Sequence, residues 1–123
     1  NHGFSDADPS KLYLPVDTSE GAPDVESQLA DKDSLLNTVK ALLALRHSTD
    51  DLKAEPNLEV VYAEGSVLVY KRGGVLVGIN TSSKPALVPV NFAGSKTLFS
   101  VGGESAVSNG TLELGGQSGI ILA

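Results

Sequence analysis

The sequence contains no cysteine, methionine or tryptophan, and only three tyrosines and three phenylalanines. Lack of cysteine excludes disulfides, thiol catalysis and cysteine-ligated metal; it leaves the compartment undecided, with a lean towards the cytoplasm. No apolar run reaches the ~20 residues of a membrane span, and the first residues carry no basic-then-apolar leader, so no membrane partner is expected. Bases are scarce as well, with 9 Lys and Arg against 15 Asp and Glu and a net charge of −6. Nucleic-acid binding needs clustered Lys and Arg to neutralise phosphates, and it is excluded on that ground. The imbalance is local: residues 1–64 hold thirteen acids and five bases, a net of −8, and residues 65–123 hold two acids and four bases. Such an acidic half serves solubility before it serves a cation site.

What is present is organised around Asp31 to His47, DKDSLLNTVKALLALRH. Asp31 or Asp33 can cap its first turn, where a carboxylate suits the positive end of the helix dipole. Leu35, Leu36, Val39, Leu42 and Leu43 recur at three- and four-residue steps, and Leu45 widens that face beyond the stripe a surface helix needs. Such a helix is built to touch more than one body. Arg46 falls on the same face, where it snorkels from the helix end or meets a carboxylate across an interface.

Residues 1–30 hold three prolines, several acids and no periodicity beyond Leu12-Tyr13-Leu14. They predict an extended segment. Phe4, Leu12, Tyr13, Leu14, Val16 and Val25 make it too apolar for an ordinary disordered tail. It reads as chain that lies across another domain, at the back end of something larger.

After Pro56 the period becomes strand-like. LEVVYA (58–63), SVLVYK (66–71), GVLVGIN (74–80), PALVPV (85–90), KTLFSV (96–101), SAVS (105–108), TLEL (111–114) and SGIIL (118–122) are separated by turn signals. Asn109-Gly110 is the strongest, since a type I′ hairpin turn needs positive φ at both central positions. The pattern predicts a mainly β fold: an eight-stranded antiparallel β-sandwich of Greek-key type, preceded by one amphipathic helix and the extended segment. Strands 67–70 and 75–79, apolar on both faces, belong at the centre, one face on the partner sheet and the other under the helix. Pro85 and Pro89 cannot donate to a ladder and place their strand at an edge.

Catalytic candidates are few. His2 and His47 have no nucleophile, carboxylate or second imidazole in a spacing that would employ them. Asp6/Asp8, Asp31/Asp33 and Asp50/Asp51 are carboxylate pairs in a loop, at a helix start and in a turn, without the desolvation that acid–base work requires. The expectation is therefore no catalytic, cofactor-binding or metal-binding residue, and no cofactor.

The order Asn1-His2-Gly3-Phe4-Ser5, Tyr13-Leu14-Pro15-Val16, Val25-x-x-Gln28, Asp31-x-x-Ser34-Leu35-Leu36-Asn37 and Leu43-Ala44-Leu45-Arg46 resembles the tail of the alpha-amylase family of glycoside hydrolases, most of all its α-glucosidase and oligo-1,6-glucosidase branch. Val69-Tyr70-x-Arg72 and Leu76-Val77-Gly78-Ile79-Asn80 continue the likeness. His2 stands where a small residue is usual, and Lys32 where a helix-opening proline is. The resemblance implies that residues 1–30 are the segment after the last barrel strand, 31–51 the final barrel helix and its turn, and 52–123 the C-terminal β-sandwich called domain C. It implies a retaining α-glucoside or α-glucan hydrolase as the parent. The parent's aspartate nucleophile, glutamate acid/base and further aspartate lie on earlier loops, and retention needs two carboxyls about 5–5.5 Å apart. Asn1-His2 resembles the start of an Asn-His-Asp motif, but Gly3 replaces the aspartate. The fragment is thus expected to be non-catalytic, with the parent's barrel as its partner and self-association through the uncovered helix face in isolation. The alternatives are a carbohydrate-binding β-sandwich module, for which exposed aromatic platforms are wanting, and a free-standing immunoglobulin-like adhesion domain, which leaves the helix and the lead unexplained.

Overall fold

A computed structural model describes residues 1–54 and 56–123. The chain divides into two compact units, Asn1–Ala44 and Leu45–Ala123.

The second unit carries the eight strands found among the described residues. They are β1 (Leu58–Glu64), β2 (Val67–Arg72), β3 (Val75–Asn80), β4 (Ala86–Pro89), β5 (Thr97–Val101), β6 (Ala106–Ser108), β7 (Thr111–Leu114) and β8 (Ser118–Leu122). They form a five-stranded sheet, β1-β2-β3-β8-β5, and a three-stranded sheet, β4-β7-β6, with every pairing antiparallel. The chain changes sheet after β3, β4, β5 and β7, and this makes a sandwich of the two. Between them lies one core of Val69, Leu76, Val88, Val90, Leu112, Leu114, Ile120 and Leu122. Alternation explains the selection: Leu76 pairs with Leu122 and Gly78 with Ile120, all on the inner face, and Val77 and Ile121 point the other way.

Gly78 marks the closest approach of the sheets. A β-carbon there would stand 2.8 Å from Leu112 Cδ2 and 3.0 Å from Leu114 Cδ2. The small residue in the middle of an apolar strand is thus a packing requirement.

All four sheet edges are blunted. In β1 the register shifts between Val60 and Tyr62, and in β5 between Thr97 and Phe99. Each bulge bends a strand away from further pairing. The β1 bulge also turns both Val61 and Tyr62 towards the core. β4 ends on Pro89 at its edge, as the sequence requires, and β6 is three residues long. The turn Asn109-Gly110 has φ of 49° and 75°, joining Ser108 to Thr111 in the anticipated hairpin.

β2 and β3 are interior, yet the strand that completes the middle of the sheet is β8, inserted between β3 and β5. β3 is buried throughout except at half-buried Ile79, whereas Leu68 of β2 is 38% exposed. Burial on both faces therefore belongs to β3 and β8 rather than to β2 and β3.

Residues 1–48 correct two expectations. Residues 1–30 are not wholly extended: Pro9–Lys11 is a 3-10 turn and Val25–Ala30 is a helix, α1. At six residues α1 is too short to show a helical period. Its existence rests on Asp24, whose Oδ1 accepts from Ser27 N at 2.8 Å, with Ser27 Oγ donating to Asp24 Oδ2 at 2.8 Å. The principal helix, α2, runs Leu35–Ser48 and does not begin at Asp31. Ser34 Oγ accepts from Asn37 N at 3.2 Å and caps it, whereas Asp31 Oδ1 is occupied by Asp33 N at 3.0 Å.

Candidate functional site

The lead is folded from its first residues. His2 and Gly3 both have positive φ, 54° and 79°, and Phe4 N closes the turn on Asn1 O at 3.0 Å. His2 O then accepts from Glu26 N at 3.1 Å, seating this turn on the start of α1. A cavity of about 830 Å³ opens within the lead, its walls including Phe4, Leu12, Leu14, Pro15, Val16 and Asp17. Tyr13 points away from the chain altogether, 98% exposed.

A knot of side chains fixes α1 against α2. Asn37 Nδ2 donates to the carbonyls of Gln28 at 2.9 Å, Leu29 at 3.4 Å and Asp31 at 2.8 Å. Ser34 Oγ donates to Gln28 O at 2.7 Å, and Gln28 Oε1 accepts from Leu36 N at 3.0 Å. The orphan carbonyls of one helix and the orphan amides of the next are thereby satisfied by three residues. Gln28, Ser34 and Asn37 stand out in the sequence only as parts of a motif; the six- to nine-residue spacing of their bonds matches no local capping pattern, so their joint role was not legible there.

This knot orients a face. Leu35, Val39 and Leu43, spaced by one helical turn, are 73%, 43% and 51% exposed. Leu36, Leu42 and Leu45 are half-buried, and none of the fourteen residues of α2 is fully buried. Three large aliphatic side chains in a row in water are a surface made for contact. Arg46 is exposed at the helix end, and among the described residues it has no ion-pair partner.

One member of each carboxylate pair holds backbone: Asp8, Asp31 and Asp51. Asp8 Oδ1 accepts from Ser10 N at 2.9 Å and Ser10 Oγ at 2.8 Å; these bonds hold its carboxyl below the usual carboxylate range, the backbone donor contributing most. Asp17 is lowered by the Ser19 hydroxyl and then its N–H, Asp24 by the Ser27 N–H and then its hydroxyl, and Asp50 by its bond to Lys53. Every one of these shifts favours the charged form, the opposite of what a general acid needs. Asp51 Oδ2 accepts from Gly74 N at 3.1 Å, and Lys32 lies 3.6 Å from Asp33 in an exposed pair. His2 and His47 are both exposed. Among the described residues no three His, Asp or Glu stand together as metal ligands. Among the same residues no helix is long and apolar enough to cross a membrane.

One end of the sandwich is held by a buried polar centre. Asn80 is 1% exposed; its Nδ2 donates to Lys84 O and Gly115 O, each at 2.8 Å. Its Oδ1 accepts from Ser82 N at 3.0 Å and Ser82 Oγ at 2.9 Å. Ser118 Oγ donates to Gly115 O at 2.8 Å, and Ser105 Oγ donates to Ser118 Oγ at 3.1 Å while accepting from Gly115 N at 3.1 Å. With every donor and acceptor of Asn80 engaged, the arrangement ties three loops together and leaves no free group for chemistry. The aromatics of the strand region, Tyr62, Tyr70, Phe92 and Phe99, are all half-buried.

The fold is shared with much longer chains. The trehalulose synthase MutB from Pseudomonas mesoacidophila MX-45 superposes with a TM-score of 0.75 at 19% identity, over 89% of this chain and 21% of that one. An isomaltulose synthase variant from Erwinia rhapontici NX5, in complex with its natural substrate sucrose, gives 0.74 at 18% identity, over 89% and 21%. The α-glucosyl transfer enzyme XgtA gives 0.67 at 26% identity, over 80% and 19%. The chain thus spans about a fifth of the length of these solved structures. No protein-family model and no curated protein matches the sequence.

Proposed function

We propose that the chain is the non-catalytic C-terminal portion of an alpha-amylase-family enzyme acting on α-glucosides or α-glucans. In this reading residues 1–30 follow the last barrel strand, α2 is the final barrel helix, and residues 52–123 form domain C. The observation that carries it is the exposed Leu35/Val39/Leu43 row, together with neighbours that are some five times longer than the chain. Burying what remains exposed of this row on a barrel stabilises by about 1–2 kcal/mol per side chain, less than the full value because each is already partly covered. The parent's chemistry is retaining, through carboxylates outside these 123 residues. The neighbours' described activities widen its outcome from hydrolysis to glucosyl transfer.

The test has two arms. The 123-residue chain is expected to release no p-nitrophenol from p-nitrophenyl α-glucoside above the buffer rate, and turnover by host-free protein would overturn the non-catalytic assignment. In the longer protein, Val39→Asp is expected to lower the melting temperature of the barrel. An unchanged barrel transition would defeat the docking role. Retardation of the chain in an amylose gel would favour a carbohydrate-binding module in its place.

A further inference from the structure

The Asn109-Gly110 turn is used by the fold but not by the function proposed above. Asn109 is exposed, and its carboxamide has no hydrogen-bond partner among the described residues. Gly110 is exposed too, and a β-carbon there would meet nothing nearer than Val90 O at 3.6 Å. Its carbonyl is bound by Val90 N at 2.8 Å, while its own N–H makes no backbone bond outside the ladder and the residue lies outside both strands. A free backbone nitrogen, flanked by no side chain of its own, therefore stands next in the chain to a free side-chain amide.

We propose that Asn109 is a site of spontaneous deamidation through a cyclic succinimide, gated by opening of the β6–β7 hairpin. Gly110 N loses its proton to solvent base and attacks Asn109 Cγ. The N–Cγ bond forms, the Cγ–Nδ2 bond breaks, and the side-chain nitrogen takes up a proton and leaves as ammonia. Water then opens the ring. Cleavage at Cγ leaves an ordinary aspartyl residue, and cleavage at the backbone carbonyl leaves an isoaspartyl linkage with an extra methylene in the main chain. Water is the only co-reactant, and no oxidation or reduction occurs.

Gating follows from the turn. Ring closure rotates the backbone about Asn109 away from its left-handed conformation, so the closed hairpin is protected. Opening costs little here, because β6 has three residues, lies at a sheet edge and exposes Ala106 and Ser108. The other asparagines are internal controls. Asn1, Asn37, Asn57, Asn80 and Asn91 precede His2, Thr38, Leu58, Thr81 and Phe92, whose β-carbons crowd the attacking nitrogen. Asn37 and Asn80 are in addition held by hydrogen bonds at both helix junction and sandwich end. The isoaspartyl product would lengthen a two-residue connection and unseat the Ser108–Thr111 pairing.

The experiment is incubation of the full 123-residue chain in mildly alkaline buffer, with peptide mapping by mass spectrometry and enzymatic methylation of isoaspartate. Asn109 is expected to convert before any other asparagine and to give both products, more slowly than in a free peptide of residues 106–113. Val107→Ala, which loosens β6, is expected to accelerate conversion several-fold. Earlier loss at another asparagine, or aspartate without isoaspartate, would overturn the succinimide route. An unchanged rate in V107A, or equal rates in chain and peptide, would overturn the gate.

Discussion

Removing the Asn80 side chain tests whether a single amide holds the end of the sandwich. Asn80→Ala deletes four hydrogen bonds, which at a net value of about 1 kcal/mol each would cost about 4 kcal/mol. The loss is trimmed because Lys84 O keeps the Ser82 hydroxyl and Gly115 O keeps the Ser118 hydroxyl. Only Ser82 N–H is left bare, so the expected cost is about 3 kcal/mol. For a unit of this size that is a drop in melting temperature of roughly 12–24 °C. Asn80→Asp sharpens the test by turning a carboxylate towards two carbonyl oxygens. Its folded-state pKa is expected to rise above the unfolded value near ~3.9. A raised pKa gives stability that is present below the unfolded value and lost as pH rises through the folded one. The Asp variant should therefore approach wild type in acid and fall below Asn80→Ala at neutral pH. Urea unfolding of all three proteins at both pH values reads the result. An alanine variant within about 0.5 kcal/mol of wild type would refute the hydrogen-bond accounting.

Two glycines at positive φ separate backbone strain from collision. A β-carbon on Gly65 (φ 56°) meets nothing within 4 Å, whereas on Gly102 (φ 77°) it runs into the Gln117 carbonyl. Gly65→Ala should cost about 1–2 kcal/mol and Gly102→Ala clearly more, read by thermal melts. Asn37→Ala should speed amide hydrogen exchange in α1 while leaving β3 and β8 protected, since its three bonds end on α1 carbonyls and the aspartate after them. The lowered pKa of Asp24 means that its cap is intact above the ordinary carboxylate range and is lost as pH falls through the folded value. Protection of the Ser27 amide should accordingly be lost as pH falls through and below the ordinary carboxylate range, and Asp24→Asn should flatten that profile.

The strands were legible because turn chemistry brackets them. Asn109-Gly110 fixes a hairpin, Pro85 and Pro89 fix an edge, and TLEL and SGIIL occupy the same residues in sequence and structure. The place of β8 was not legible, since periodicity tells which face a strand buries and not which neighbours flank it. The start of α2 differs from the expected one for a related reason: Asp31 and Asp33 are good caps by type, but only Ser34 is placed to accept from Asn37. α1 left one trace, the Asp24-x-x-Ser27 reciprocity, too brief to outweigh three prolines in the lead. The apolar face of α2 was plain in its leucine spacing, whereas the Gln28–Ser34–Asn37 knot that orients it joins residues no sequence period relates.

Insertion of β8 between β3 and β5 has a consequence for how the chain is made. The ribosome releases residues 118–122 after every other strand of their sheet, and until then β5 has no partner and β3 an open flank. The nascent sheet therefore waits with a gap in its middle, and closure must come after synthesis of this segment rather than during it. Chaperones that shield unpaired strands would find their substrate in that interval, and deleting residues 118–122 would part β3 from β5 and leave both with an open flank.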